Sequence, residues 1–254
     1  MVVNSLSKET TRDTIQIDVL LSEDQIAQEF IAALARHELP EKFFYWFPLS
    51  IRAWLNLCND GAYRNFIRSL SVLQTHASDL VSMLPTGPID VISLGAGQGT
   101  KDLLLLGQLW QQGRTPRYRP VDASQGLLEL ACQTAREQQF DCRGLKADLS
   151  NSAHLTALQA NRDDPPRLIM MLGNTMGAFD PLTLLSQLAA KDSAIMLAGE
   201  TVRLVAGAHI EMNWSYKYDR ETLVSLLTTA RLQPVAQYDS VDKQFLTLLA
   251  TRSP

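Results

Sequence analysis

Apolar residues recur along this chain in two rhythms, and the change between them falls near residue 87. Before it, Ile26, Ala27, Phe30, Ile31, Leu34 and Ala35 repeat at the spacing of one helical face. Ser22 precedes that run as an N-cap, Glu23 and Asp24 put acidic charge in its first turn, and Pro40 closes it. Residues 49–58 and 61–84 predict two more helices, and Pro85, Gly87 and Pro88 punctuate the boundary behind them. The first 85 residues therefore read as all-helical behind a polar arm.

After the boundary the runs shorten. IDVISLG (89–95), YRPVD (118–122), residues 142–147, RLIMML (167–172) and SAIMLAG (193–199) read as strands. Helical patterns at about 100–112, 124–138 and 180–190 separate most of them. That alternation implies βαβ units and a parallel sheet. A helix over 219–231 then leads into QPVAQYDS and KQFLTLLAT, two strands joined by a tight turn around Val241–Asp242. A terminal hairpin needs an antiparallel edge on the parallel sheet. The expected fold is α/β: a Rossmann-like, mostly parallel seven-stranded sheet with an antiparallel C-terminal hairpin and an N-terminal helical region. Its parts are an arm over 1–20, the helical region over 21–86 and the sheet domain over 87–254.

Composition narrows the class. A chain of 254 residues with 46% hydrophobic and 20% charged residues buries a sizeable core. Lys and Arg number 23 against 27 Asp and Glu, a net charge of −4 with no basic block, so no nucleic-acid partner is expected. No apolar stretch approaches the roughly 20 residues that span a bilayer, so no membrane partner is expected. The opening MVVNSLSKETTRD is too polar for a secretory signal. Cys58, Cys132 and Cys142 are odd in number and lack metal-ligand spacing, which reads as reduced thiols, a cytoplasmic setting and no metal. His37, His76, His154 and His209 read as surface residues. Oligomeric state is not encoded in any pattern here.

The sharpest chemical signal is Leu94-Gly95-Ala96-Gly97-Gln98-Gly99-Thr100-Lys101, between the first strand and its helix. Glycines there allow a tight strand-to-helix turn and let a ligand lie against bare backbone. The spacing is GxGxG rather than the GxGxxG of a pyrophosphate loop, which disfavours a nicotinamide-dependent oxidoreductase. Asp122 ends the second strand, where a carboxylate can accept both hydroxyls of a ribose. Asp148 and Leu149 follow the third strand and suit an adenine amino group and ring. Gly173-Asn174-Thr175-Met176-Gly177 follows the fourth. Four strand-end sites on one sheet edge describe an adenosyl ligand.

These features resemble the class I S-adenosylmethionine-dependent methyltransferases. ELPEKFFYW (38–46), VISLGAGQGTKDLLLL (91–106), RPVDAS (119–124), MLGNTMGAF (171–179) and WSYKYDRETL (214–223) further resemble, in order and spacing, the histidine Nα-methyltransferases of ergothioneine biosynthesis. The resemblance implies a methyltransferase using S-adenosyl-L-methionine on a small molecule, an amine or an amino-acid-derived acceptor. It implies that Gly95, Gly97 and Gly173 hold the methionine moiety, Lys101 its carboxylate, Asp122 the ribose, and Asp148 with Leu149 the adenine. Ala96, Ala123, Asn174 and Thr175 complete the cofactor set. Tyr45 falls at the family's catalytic tyrosine, and Tyr63, Ala178, Asn213 and Ser215 at substrate positions. Two of these depart from the family: Ala178 replaces an asparagine that grips the substrate, and Asn213 replaces an acid. The family's second lobe shrinks to about residues 200–214, so histidine is not the expected acceptor and the N-terminal helices become the main lid. A non-catalytic S-adenosylmethionine-binding module is the alternative.

Overall fold

The computed structural model describes residues 14–158, 164–173, 175–179, 194–198, 211–212 and 217–252. In chain order its elements begin with β1 (Ile17–Val19), α1 (Glu23–Ala35), β2 (Glu38–Leu39), a 3-10 turn over Glu41–Tyr45, α2 (Pro48–Asn59) and α3 (Arg64–Ser82). There follow β3 (Pro88–Leu94), α4 (Thr100–Gln111), β4 (Thr115–Asp122), α5 (Gln125–Glu137), β5 (Asp141–Cys142), β6 (Gly144–Lys146) and α6 (Ser152–Thr156). The chain continues through β7 (Arg167–Met171), a 3-10 turn over Thr175–Ala178, β8 (Ala194–Ala198) and β9 (Glu211–Met212). It closes with a helix over Arg220–Thr229, β10 (Leu232–Asp239) and β11 (Leu246–Arg252).

The main sheet runs β1-β6-β4-β3-β7-β8-β11-β10, with β5 paired beside β4. Pairing is parallel from β1 through β8, and β11 joins antiparallel to both β8 and β10. Seven strands of that path are those the sequence predicts; the eighth, β1, comes from the end of the polar arm. Its alternation, Ile15, Ile17 and Val19 around Gln16 and Asp18, is legible in the sequence but short. Asp18 pairs with Arg143 at 2.8 Å and Arg119 at 3.7 Å, so charge holds this edge strand in place. The N-terminal region is thus not wholly helical, since β2 also pairs in parallel with β9. The strand expected over 142–147 is broken at Arg143 into β5 and β6. The hairpin turn spans Ser240 to Phe245, wider than expected, with Lys243 left-handed at φ 56° and Ser240 N–H bonded to Phe245 O at 2.8 Å. The helix expected over 180–190 lies outside the described residues.

Caps explain where the helices start. Ser22 accepts from Gln25 N–H at 3.2 Å, and Gln25 Oε1 accepts from Ser22 N–H at 2.8 Å, a complete capping box. Ser124 and Asp219 cap α5 and the last helix through Leu127 and Thr222 N–H. The sheet is sandwiched, as the two-residue strand period requires. Ile169 and Met171 of β7 join Ile92, Leu94, Val121 and Leu227 on one face, whereas Leu168 and Met170 join Leu73, Leu80, Leu106 and Leu109 on the other. A third cluster, Leu21, Ile26, Ala33 and Phe43, has Phe30, Trp46 and Ala123 against it. That cluster seats the N-terminal region on the carboxyl end of β4. Among the described residues no helix is long and apolar enough to cross a membrane.

Candidate active site

The glycine loop leaves β3 along a path that only glycine follows without strain. Gly95 and Gly97 have φ of 67° and 57°. Their surroundings differ. A Cβ on Gly95 would stand 2.5 Å from Thr175 Oγ1, so this glycine lets the loop lie against the turn after β7. A Cβ on Gly97 would meet nothing within 4 Å, so that backbone faces open space. Gly95 and Ala96 N–H groups both donate to Val121 O, at 2.8 and 3.2 Å, which fastens the loop to β4.

Asp122 stands at the end of β4. Its Oδ2 accepts from Gly97 N–H and its Oδ1 from Ser124 N–H, each at 2.9 Å. Burial pushes its carboxyl above the usual range, against the pull of those backbone bonds and one from Ala123. The next strand end brings Asp148, itself buried. Its Oδ1 accepts from Ser150 N–H at 2.8 Å and Ser150 Oγ at 2.6 Å, and its Oδ2 from Lys42 Nζ. Burial raises the Asp148 carboxyl, but the Lys42 and Ser150 bonds outweigh it and hold the group below the usual carboxylate range. Lys42 also reaches Glu29, so one ammonium ties α1, the first 3-10 turn and the β6 end together. The Asp148 N–H donates to His154 Nδ1 at 3.0 Å, and Leu149 is buried beside it.

Lys101, in the first turn of α4, points at Gly173, whose absent Cβ would stand 3.2 Å from Nζ. The ammonium donates to Ser69 Oγ at 3.2 Å and lies 5.2 Å over the Phe66 ring. Burial lowers its pKa to about 8, with Asp102 opposing.

Above this edge stands Tyr45. It is pushed well above its ordinary value by burial and then by the charges of Glu41, Tyr63 and Asp122, so it stays a phenol. Its hydroxyl donates to Glu41 Oε1 at 3.4 Å. Its ring meets Trp54 edge-on at 5.2 Å, and Trp54 meets Tyr63 at 5.8 Å. Helix α2, which carries Trp54, also places Ile51 Cδ1 2.8 Å from where a Cβ on Gly126 would stand, at the start of α5. Ala178 ends the half-buried turn after β7. Asn174, Asn213, Ser215 and His209 lie outside the described residues.

The structure therefore brings Gly95, Ala96, Gly97, Lys101, Asp122, Ala123, Asp148, Leu149, Gly173 and Thr175 to one sheet edge, and joins Tyr45 to Tyr63 through Trp54. Sequence reasoning missed Lys42, Trp54, Ser69 and His154. Lys42 had a signal, its place three residues before Tyr45 in a stretch already singled out; the others had none. Among the described residues no group of three or more His, Cys, Asp or Glu could hold a metal.

Comparison with solved structures gives the fold. The magnesium protoporphyrin IX methyltransferase of Synechocystis PCC 6803, solved with bound S-adenosylhomocysteine, aligns with TM-score 0.56 and 14% identity, over 91% of this chain and 100% of that one. The 1,6-didemethyltoxoflavin-N1-methyltransferase of Burkholderia thailandensis, solved with 1,6-didemethyltoxoflavin and S-adenosylhomocysteine, aligns with TM-score 0.53 and 16% identity, over 89% and 90%. No curated protein matches in sequence. A family model described as histidine-specific methyltransferase, SAM-dependent, matches residues 26–193. That match spans more than half of the chain and takes in the glycine loop, both strand-end carboxylates and the Tyr45 turn, so the chain belongs to this family of S-adenosylmethionine-dependent methyltransferases.

Proposed function

We propose that the cofactor lies across the carboxyl ends of β3, β4, β6 and β7, and that the acceptor is an amine or amino-acid-derived small molecule entering under the N-terminal region. The observation that carries this reading is the 3-10 turn Glu41–Tyr45, which meets Asp148 through Lys42 and lies within the field of Asp122 through Tyr45. One five-residue element thus bonds one end of the proposed adenosyl site and carries a hydroxyl that feels the charge at the other.

When bound, S-adenosylmethionine supplies a methyl group made electrophilic by its sulfonium. The chain's residues do the rest by positioning. Gly97 leaves backbone open to the methionine part, and Lys101 faces Gly173, where a carboxylate would neutralise its buried ammonium. Asp122 offers two oxygens to ribose hydroxyls. Asp148, kept ionised by Lys42, offers an acceptor to an adenine amino group. The Tyr45 phenol donates its hydrogen bond to Glu41 and so keeps its oxygen lone pairs for an N–H of the acceptor.

The test is methyl transfer from label-carrying S-adenosylmethionine to a panel of amines, alcohols and thiols. The expected result is label on an amine nitrogen. Label confined to oxygen, sulfur or carbon overturns the acceptor assignment.

A further inference from the structure

A lysine drawn out of water usually meets a carboxylate, as Lys42 and Lys146 do here. Lys101 does not. Among the described residues its ammonium bonds the Ser69 hydroxyl at 3.2 Å, lies 5.2 Å over the Phe66 ring, and forms no ion pair. The neighbouring acid, Asp102, accepts the Tyr118 hydroxyl at 2.6 Å instead. Ser69 is itself buried, and its own proton goes to Phe66 O at 2.9 Å, so its oxygen presents lone pairs to Lys101. Phe66 and Ser69 stand three residues apart and share one face of α3. That helix is fixed on α4, which carries Lys101, through Val72, Leu73 and Leu80 against Leu106 and Leu109. On its other side the ammonium meets the gap at Gly173, where a Cβ would stand 3.2 Å away. A carboxylate in the place of Ser69 would hold the cation more firmly, but would cancel its charge and repel an anionic ligand. A hydroxyl and a ring face hold it and leave the charge available.

We propose that Ser69 and Phe66 form a neutral seat that aims the Lys101 ammonium across Gly173 at the carboxylate of the cofactor's amino-acid end, so that α3 makes the site selective for ligands that carry this carboxylate. The proposal rests on the cofactor reading above and assigns it two residues outside the sheet edge. Both are positioning residues, since they act on the ligand through Lys101. Their loss frees the lysine side chain, and a ligand must then order it on binding. A ligand without the carboxylate draws nothing from Lys101 and is indifferent to the seat.

The experiment measures two affinities by calorimetry, for S-adenosylhomocysteine and for 5′-methylthioadenosine, which keeps the adenosine and thioether but lacks the amino-acid end. The proteins are wild type, Ser69→Ala, Phe66→Leu, Phe66→Tyr, Lys101→Met and the Ser69→Ala/Lys101→Met double variant. Ser69→Ala should weaken S-adenosylhomocysteine roughly 10-fold, the loss of one hydrogen bond to a charged group. Phe66→Leu should weaken it roughly 3- to 10-fold, and Phe66→Tyr, which keeps the ring face, should restore it. Affinity for 5′-methylthioadenosine should stay within twofold throughout, which also reports that each variant is folded. In the Lys101→Met background Ser69→Ala should have no further effect, because the residue it serves is gone. Equal weakening of both ligands, an unchanged preference in Ser69→Ala or Phe66→Leu, or a full Ser69→Ala effect without Lys101 overturns the seat and leaves the cofactor reading intact. An unchanged preference in Lys101→Met overturns the carboxylate placement and the seat with it. Failure of wild type to bind either ligand overturns the cofactor reading as a whole.

Discussion

Burial sets the direction of the shift at Asp122 and Lys101, and each direction makes a distinct demand. Asp122 is the simplest. Replacing it with alanine removes a buried acceptor for two ribose hydroxyls, each such bond contributing about 1.5–3 kcal/mol. Asp122→Ala should therefore weaken S-adenosylhomocysteine binding by at least roughly 100-fold in calorimetry; an unchanged affinity would remove Asp122 from the site. Lys101 makes a demand on pH. Burial lowers its pKa from 10.5 to about 8. Between those values the unfolded chain binds more protons than the native one, so the cost of burying this ammonium is present below about pH 8 and is relieved as pH rises toward 10.5. A bound carboxylate acts oppositely, favouring the ammonium. Cofactor affinity should thus be fully present below about pH 8 and fall above it, with proton uptake on binding. Titrations above that pH in two buffers of different ionisation heat read the uptake directly. Lys101→Met should abolish it, and a flat affinity across the range would place the carboxylate elsewhere.

At the scale of the element, the β3–α4 loop separates structural need from ligand need. Gly95 and Gly97 are both left-handed, so any side chain at either costs about 1–2 kcal/mol in backbone strain. Gly95→Ala adds a clash with Thr175 and should cost about 1–3 kcal/mol more, read as a lower Tm. A Cβ at Gly97 meets no protein atom, so Gly97→Val should fold while losing S-adenosylhomocysteine binding. Equal loss of Tm in both, or retained binding in folded Gly97→Val, would make the loop a structural turn only. The sequence carried this element because glycine, strand and helix signals coincide within eight residues. It carried the capped helices for a similar reason, since Ser22, Ser124 and Asp219 each bond within their own first turn. It carried β1 only as a short alternation, because these three residues are held by β6 and by arginines more than a hundred positions away.

Across the whole molecule, the convergence of the candidate cofactor residues on one sheet edge was legible and the elements that stand over it were not, for one physical reason. Strand-end residues of a parallel sheet converge whatever the helices do, so Asp122, Asp148 and Gly173 fall on one edge by topology alone. Lys42 reaches the site because the Phe43 cluster docks the N-terminal region on Ala123, Trp54 because Ile51 of its helix meets α5 at Gly126, and Ser69 because α3 packs on α4, all tertiary contacts with no local signature. That docking is the centre of the account, because the proposed acceptor site lies under the N-terminal region and its aromatic run. Ala178 and Asn213 stand where the family's grip on an amino acid's ammonium and carboxylate is expected, and only residues 199–219 separate β8 from the last helix. Losing two charge-assisted bonds to histidine amounts to about 3–6 kcal/mol, or at least roughly 100-fold in specificity. The most direct measurement is kcat/KM for methyl transfer to histidine against tryptamine and phenethylamine under one set of conditions. The account predicts a value for the two aromatic amines at least roughly 100-fold above that for histidine. Efficient trimethylation of histidine, at or above the rate for either amine, would contradict it.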